Sequence, residues 1–232
     1  MALPFYVSPE QMMQDKAEYA RKGIARGKSI VAVEYCDGIA LVAENPSTSL
    51  SKVSEIYDKI AFAGVGKYSE FENLRKLGIR YADVKGYAYS RHDVTAKSLA
   101  NAYSQAIGQV FTQEMKPLEV EILVVEIGEG GAGNEMYHVL YDGTITDHHR
   151  FVVIGGAKEA ATLVMQEAYR ENMSLKDAVG ACLKALAKTN GDKALTENTL
   201  EMAVLNQKRE GRKFQRIKAD EIRQLLEPAG SG

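Results

Sequence analysis

The stretch Ser29-Ile30-Val31-Ala32-Val33-Glu34-Tyr35-Cys36-Asp37-Gly38-Ile39-Ala40-Leu41-Val42-Ala43, entered directly from a helical segment over residues 8–26, decides the fold. Residues 29–35 and 39–43 are rich in β-branched and apolar side chains, and they flank a turn whose glycine accepts a positive φ. They read as a first hairpin. Ahead of it, Ser8-Pro9-Glu10-Gln11 offers a serine cap, a proline at the first helical position and a glutamine placed to reach back. These satisfy or tolerate orphan backbone donors, so a helix starts there. Met13, Ala17, Ala20 and Ile24 share one of its faces, with Gln14, Lys16, Glu18, Arg21 and Lys22 around the rest. A face so narrow and small-residued suits contact with a neighbour better than a core.

Downstream, strands are expected over 59–64, 120–127, 136–141, 151–154, 200–206 and 214–217. Helices are expected over 68–77, 94–111, 158–169, 174–188 and 219–226. The helix at 94–111 aligns Leu99, Tyr103, Ile107 and Val110, and the one at 174–188 opens with the capping pattern Ser174-Leu175-Lys176-Asp177 and buries Cys182. This order implies an α+β chain of two sheets covered by pairs of helices. No internal break divides 8–226, which leaves 1–7 as an N-terminal segment and 227–232 as a tail.

The 232 residues, 45% hydrophobic with a formal charge of -2, suit one large globular domain. Nearly balanced charge argues against a nucleic-acid surface, and the densest basic run, Lys208-Arg209-Glu210-Gly211-Arg212-Lys213, reads as a solvated hairpin turn. No apolar run is long enough to span a membrane and the N-terminus resembles no signal peptide, so a cytoplasmic location is expected. Cys36 and Cys182 read as ordinary reduced thiols.

Several motifs invite chemistry. Gly128-Glu129-Gly130-Gly131-Ala132-Gly133 matches G-x-G-x-x-G, but a strand rather than a helix follows it, so a hairpin loop is expected and no dinucleotide cofactor. Asp147-His148-His149 sets two imidazoles beside a carboxylate, yet adjacent strand side chains point to opposite faces and do not share an ion, so no metal is expected. His92 and His138 show no partner spacing, and G-x-S-x-G is absent. By pattern alone, Lys52 in Ser49-Leu50-Ser51-Lys52-Val53 is a solvated surface charge.

Taken in order, Glu18-Tyr19-Ala20, Lys28-Ser29, Glu44-Asn45-Pro46-Ser47, Lys52 with Gly66, and Gly155-Gly156 resemble a proteasome α subunit. Ser8-Pro9-Glu10-Gln11, residues 20–26, Val42-Ala43-Glu44-Asn45-Pro46-Ser47 and Lys85-Gly86-Tyr87-Ala88-Tyr89 bring the resemblance closest to the actinobacterial type, over nearly the whole chain. The resemblance implies a four-layer α-β-β-α sandwich of the N-terminal-nucleophile hydrolase type. It also implies a homo-heptameric α ring that caps rings of catalytic β subunits. In such hydrolases a free N-terminal amine is the base and the hydroxyl of the same residue attacks, assisted by an acid and a lysine. Glu44 falls near the acid position and Lys52 near the lysine position. Lys28 and Ser29 occupy the nucleophile's place behind a capped helix, and Gly155-Gly156-Ala157 lacks the serine of a catalytic subunit.

The resemblance therefore implies a non-catalytic subunit with no cofactor. Leu3, Pro4, Phe5, Tyr6 and Val7 would form a gate at the axial entrance, and Lys52 and Gly66, with Glu18 of a neighbour, an activator-docking pocket. The implied activator is a ring-shaped AAA ATPase that threads protein substrates, among them proteins tagged with a ubiquitin-like modifier. The alternative is a hydrolase of the same fold activated by cleavage before Ser29, using Ser29, Glu44 and Lys52.

Overall fold

The computed structural model describes residues 8–130, 132–191 and 195–226. The expected gate residues, Leu3 to Val7, and the tail at 227–232 lie outside them. Helix α1 (Pro9–Ala25) leads into β1 (Ile30–Tyr35) and β2 (Gly38–Glu44). Then follow β3 (Val53–Tyr57), β4 (Ile60–Gly66), α2 (Tyr68–Ala88), α3 (Ala96–Gln113), β5 (Val120–Glu126), β6 (Glu135–Val139), β7 (Ile145–His148) and β8 (Phe151–Ile154). Helices α4 (Lys158–Ala168) and α5 (Leu175–Thr189), strands β9 (Leu200–Asn206) and β10 (Phe214–Arg216) and helix α6 (Ala219–Leu226) complete the chain.

The strands form two five-stranded antiparallel sheets, ordered β10-β9-β2-β1-β8 and β3-β4-β5-β6-β7. Three apolar clusters separate four layers. Between the sheets lie Ile30, Leu41, Ala63, Leu123, Val125 and Leu205. Val31, Val33, Met165, Cys182 and Leu186 join the first sheet to α4 and α5, and Phe62, Phe71, Leu99, Tyr103 and Ile107 join the second to α2 and α3. With helices on both outer faces, β2 is buried at every position, as is β5. Such strands read as continuous apolar runs rather than as alternation. The expected α-β-β-α sandwich is the observed architecture.

Four expectations are corrected. Strand β3 was not foreseen: its burial follows no period of two, and a bulge interrupts its register between Glu55 and Tyr57. Strand β7, Ile145-Thr146-Asp147-His148, is a largely polar edge strand without an apolar run to mark it. Helix α2 continues past residue 77 to Ala88. At the first hairpin Tyr35 pairs with Gly38, so the loop is Cys36-Asp37 and Gly38 already belongs to β2; it keeps the expected positive φ, 151°.

Helix α1 starts where expected, the Ser8 hydroxyl accepting from the Gln11 amide at 3.2 Å, although the Gln11 side chain turns to Asp15 instead of reaching back. Ala20 and Ile24 are buried in the inter-sheet cluster, while Met13 is exposed and Lys16 is buried. The Lys16 ammonium donates to the Phe111 carbonyl at 3.0 Å, satisfying an orphan acceptor in the last turn of α3. The basic turn between β9 and β10 is exposed, but it is paired: Lys208 with Asp37, and Arg212 with Glu55.

Candidate functional site

Where α1 ends, Gly27 and Lys28 carry the chain across the mouth of the two sheets to Ser29. Ser29 is 1% exposed, and its hydroxyl donates to the Gly156 carbonyl at 2.5 Å. Its nitrogen belongs to the Lys28–Ser29 peptide bond, where delocalisation removes the basicity that a free amine would have. The Lys28 carbonyl accepts from the Lys52 ammonium at 2.8 Å. The helix and its connection thus fill the place where a nucleophile with a free amine would stand.

Lys52 is held at both ends. Its ammonium also donates to the Glu44 carbonyl at 3.0 Å, its backbone carbonyl accepts from Gly64 at 3.0 Å, and its amide donates to Glu201 Oε2 at 2.8 Å. Of three ammonium protons, two are used by carbonyls and one is unclaimed among the described residues. Burial pushes the amine down to about 8, a fall opposed by the carboxylates of Glu44 and Glu201 and assisted by Lys28. Lys52 is therefore not the solvated surface charge that its loop position suggested, but a half-buried cation on the chain's own backbone.

Glu44, 8% exposed, takes the Lys28 ammonium on Oε1 at 2.9 Å, while its Oε2 is buried without a partner among the described residues. Such an oxygen can accept from a water or a ligand donor. Gly66 closes β4 at φ 109°, and a Cβ there would lie 1.9 Å from the Glu119 carbonyl oxygen, so only glycine lets the chain turn beside Gly27 and the Lys28 connection. Glu18 lies on the exposed side of α1, paired with Lys22 at 2.7 Å. The structure thus brings Lys28, Ser29, Glu44 and Lys52 together within one chain, with Gly66 close by across Gly27, and sets Glu18 apart on the helix surface.

The sequence reading missed Glu201 and Arg216. Glu201 accepts from Asn45 Nδ2 at 2.7 Å, Lys52 N at 2.8 Å, Val53 N at 3.2 Å and Arg216, whose other terminal nitrogen bonds the Val53 carbonyl at 2.7 Å. A lone acid in the apolar run Leu200-Glu201-Met202-Ala203-Val204 was the available signal. The histidines take other roles. His148 bonds Thr146 and lies 6.0 Å from the His138 ring, whereas His149 is exposed near Asp147. The glycine-rich loop runs into β6, the strand expected after it.

The model of the proteasome subunit family matches residues 24–205. The chain belongs to the proteasome α-subunit family. It is 49% identical to "Proteasome subunit alpha" of Thermobifida fusca over 99% of this chain and 92% of the relative. It is 51% identical to that of a Nocardioides species over 99% and 91%, and 48% identical to that of Kineococcus radiotolerans over all of both. Kinship with α subunits and a chain-linked, buried Ser29 agree with a non-catalytic member of a proteasome core.

Proposed function

We propose that the chain is the gating and docking α subunit of a 20S proteasome core, forming a seven-membered ring that templates and caps rings of catalytic β subunits in the cytoplasm. The observation that carries this reading is the obstructed reaction centre: Ser29 is an internal residue, with its hydroxyl on Gly156 and Lys52 on the Lys28 carbonyl. Peptide bond cleavage then resides in the β partner, and the α ring controls entry.

In this reading Leu3, Pro4, Phe5, Tyr6 and Val7 from seven copies close the axial pore. Lys52 and Gly66, with Glu18 of the adjacent copy, receive the C-terminal carboxylate of a ring-shaped AAA ATPase, which delivers unfolded proteins, including those tagged with a ubiquitin-like modifier. A partly desolvated ammonium suits a compact terminal carboxylate, and such a pair contributes about 2 kcal/mol. Repetition around a ring turns modest contacts into firm attachment. No helix among the described residues is long and apolar enough to cross a membrane.

The test is the mass of the mature chain together with its activity. An intact N-terminus and rings that hydrolyse no fluorogenic peptide without a β subunit are expected. A mature chain that begins at Ser29, with activity lost in Ser29→Ala, would establish the alternative hydrolase instead.

A further inference from the structure

Glu201 stands in the first sheet, yet four donors from other parts of the molecule converge on its carboxylate, which is 9% exposed as a residue. Two of them, the amides of Lys52 and Val53, belong to the entry of β3, an edge strand of the other sheet. Edge amides have no ladder partner on their outer side, and a carboxylate can accept both at once. The remaining donors fix the carboxylate. Asn45 Nδ2 bridges Glu201 and the Leu50 carbonyl, 2.7 Å from each, and Arg216 joins Glu201 to the Val53 carbonyl. The loop at 50–53 is thereby clamped by residues of β2, β9 and β10, or immediately beside them.

We infer that Glu201 is the positioning residue of the docking site: it holds the Lys52 backbone so that the ammonium rests on the Lys28 and Glu44 carbonyls with one N–H left for a ligand carboxylate. This rests on the reading of Lys52 as the docking lysine. Burial of the Lys52 amine favours its escape to water, and the side chain has four rotatable bonds by which to leave. A fixed backbone is what keeps the short path to the two carbonyls available. Glu201 touches no expected ligand; it acts through Lys52.

Glu201→Gln tests this with little change of shape. An amide has one accepting oxygen, and the Arg216 cation claims it, so the new NH2 faces the Lys52 amide and Asn45 Nδ2, both donors. Hydrogen exchange read on the purified full-length chain should then speed at the Lys52 amide by about tenfold, as expected when one charge-assisted bond is lost, while amides of β1 and β2 keep their rates. In parallel, acetylation of Lys52 by an N-hydroxysuccinimide ester is followed with N-acetyl-leucine, a minimal peptide C-terminus, or N-acetyl-leucinamide. The wild type should be protected by the carboxylate and not by the amide, and Glu201→Gln should lose that protection by about threefold or more.

Unchanged exchange at Lys52, faster exchange spread over β1 and β2, or a protection by N-acetyl-leucine that the wild type shows and the variant keeps in full would each overturn the proposal. Local acceleration with no carboxylate protection even in the wild type would instead remove the docking reading and leave the positioning of Lys52 by Glu201 standing. Should Glu201→Gln fail to fold, Arg216→Gln on the edge strand loosens the same carboxylate from outside and must shift both readouts in the same direction.

Discussion

At the scale of single residues, Lys52 shows how a loop lysine becomes a half-buried cation on backbone carbonyls. An ammonium with a value near 8 is charged at neutral pH and loses its charge just above it. Carboxylate capture should therefore be near its full strength at about pH 7 and below, and weaken by up to tenfold per pH unit above about pH 8. Titrating activator binding between pH 7 and 9 measures this, and a flat profile would disconnect Lys52 from docking. Folding stability has the opposite sign. Between pH 8 and the ordinary lysine value of 10.5 the unfolded chain binds a proton that the folded chain releases, so this residue makes the fold more stable as pH rises. Lys52→Ala should lower ATPase-dependent protein degradation and spare hydrolysis of small peptides by the assembled particle.

At the scale of elements, the length of α2 was illegible for a tertiary reason. Gly78 and Gly86 weaken the helical signal, and both lie inside α2 because other elements press there. A Cβ on Gly78 would stand 1.7 Å from the Tyr103 hydroxyl of α3, and one on Gly86 2.2 Å from the Tyr57 hydroxyl of β3. Gly78→Ala gains about 1 kcal/mol of helix propensity. It should nonetheless destabilise the chain by about 1–3 kcal/mol, because the added methyl must displace the buried Tyr103 side chain. Chemical denaturation reads the sign. Tyr103→Phe removes a buried hydroxyl that has no partner among the described residues, and should leave stability unchanged or raise it by about 1 kcal/mol.

At the scale of the whole molecule, Glu121 ties layers together. From β5 it meets His138 Nε2 of β6 at 3.2 Å and Lys158 Nζ at the start of α4 at 3.3 Å. Burial alone would raise its carboxyl, yet these partners bring it below the ordinary value of 4.5. The resulting stability is present in full above pH 4.5 and is lost as pH falls through the lowered value. Glu121→Gln should accordingly flatten the acid limb of a stability profile, and an unaltered limb would assign acid sensitivity elsewhere. Deletion of residues 1–7 should raise cleavage of long peptides by the assembled particle without changing its active sites; equal rates would remove the gate.

The sequence by itself determined the order of the elements other than β3 and β7, because helix caps, the first hairpin and the apolar runs of β1, β2, β4 and β5 are local signals written within a few residues of one another. It also set Ser29 directly behind a capped helix, at the place that the resemblance gives to the nucleophile of a catalytic subunit. Tertiary structure alone decided that Lys52 is half-buried on backbone carbonyls, that Glu201 grips its amide from 149 positions away, and that Lys16 caps α3. Those outcomes depend on which charges meet when two sheets close, and no local period of hydrophobicity encodes a partner so distant along the chain.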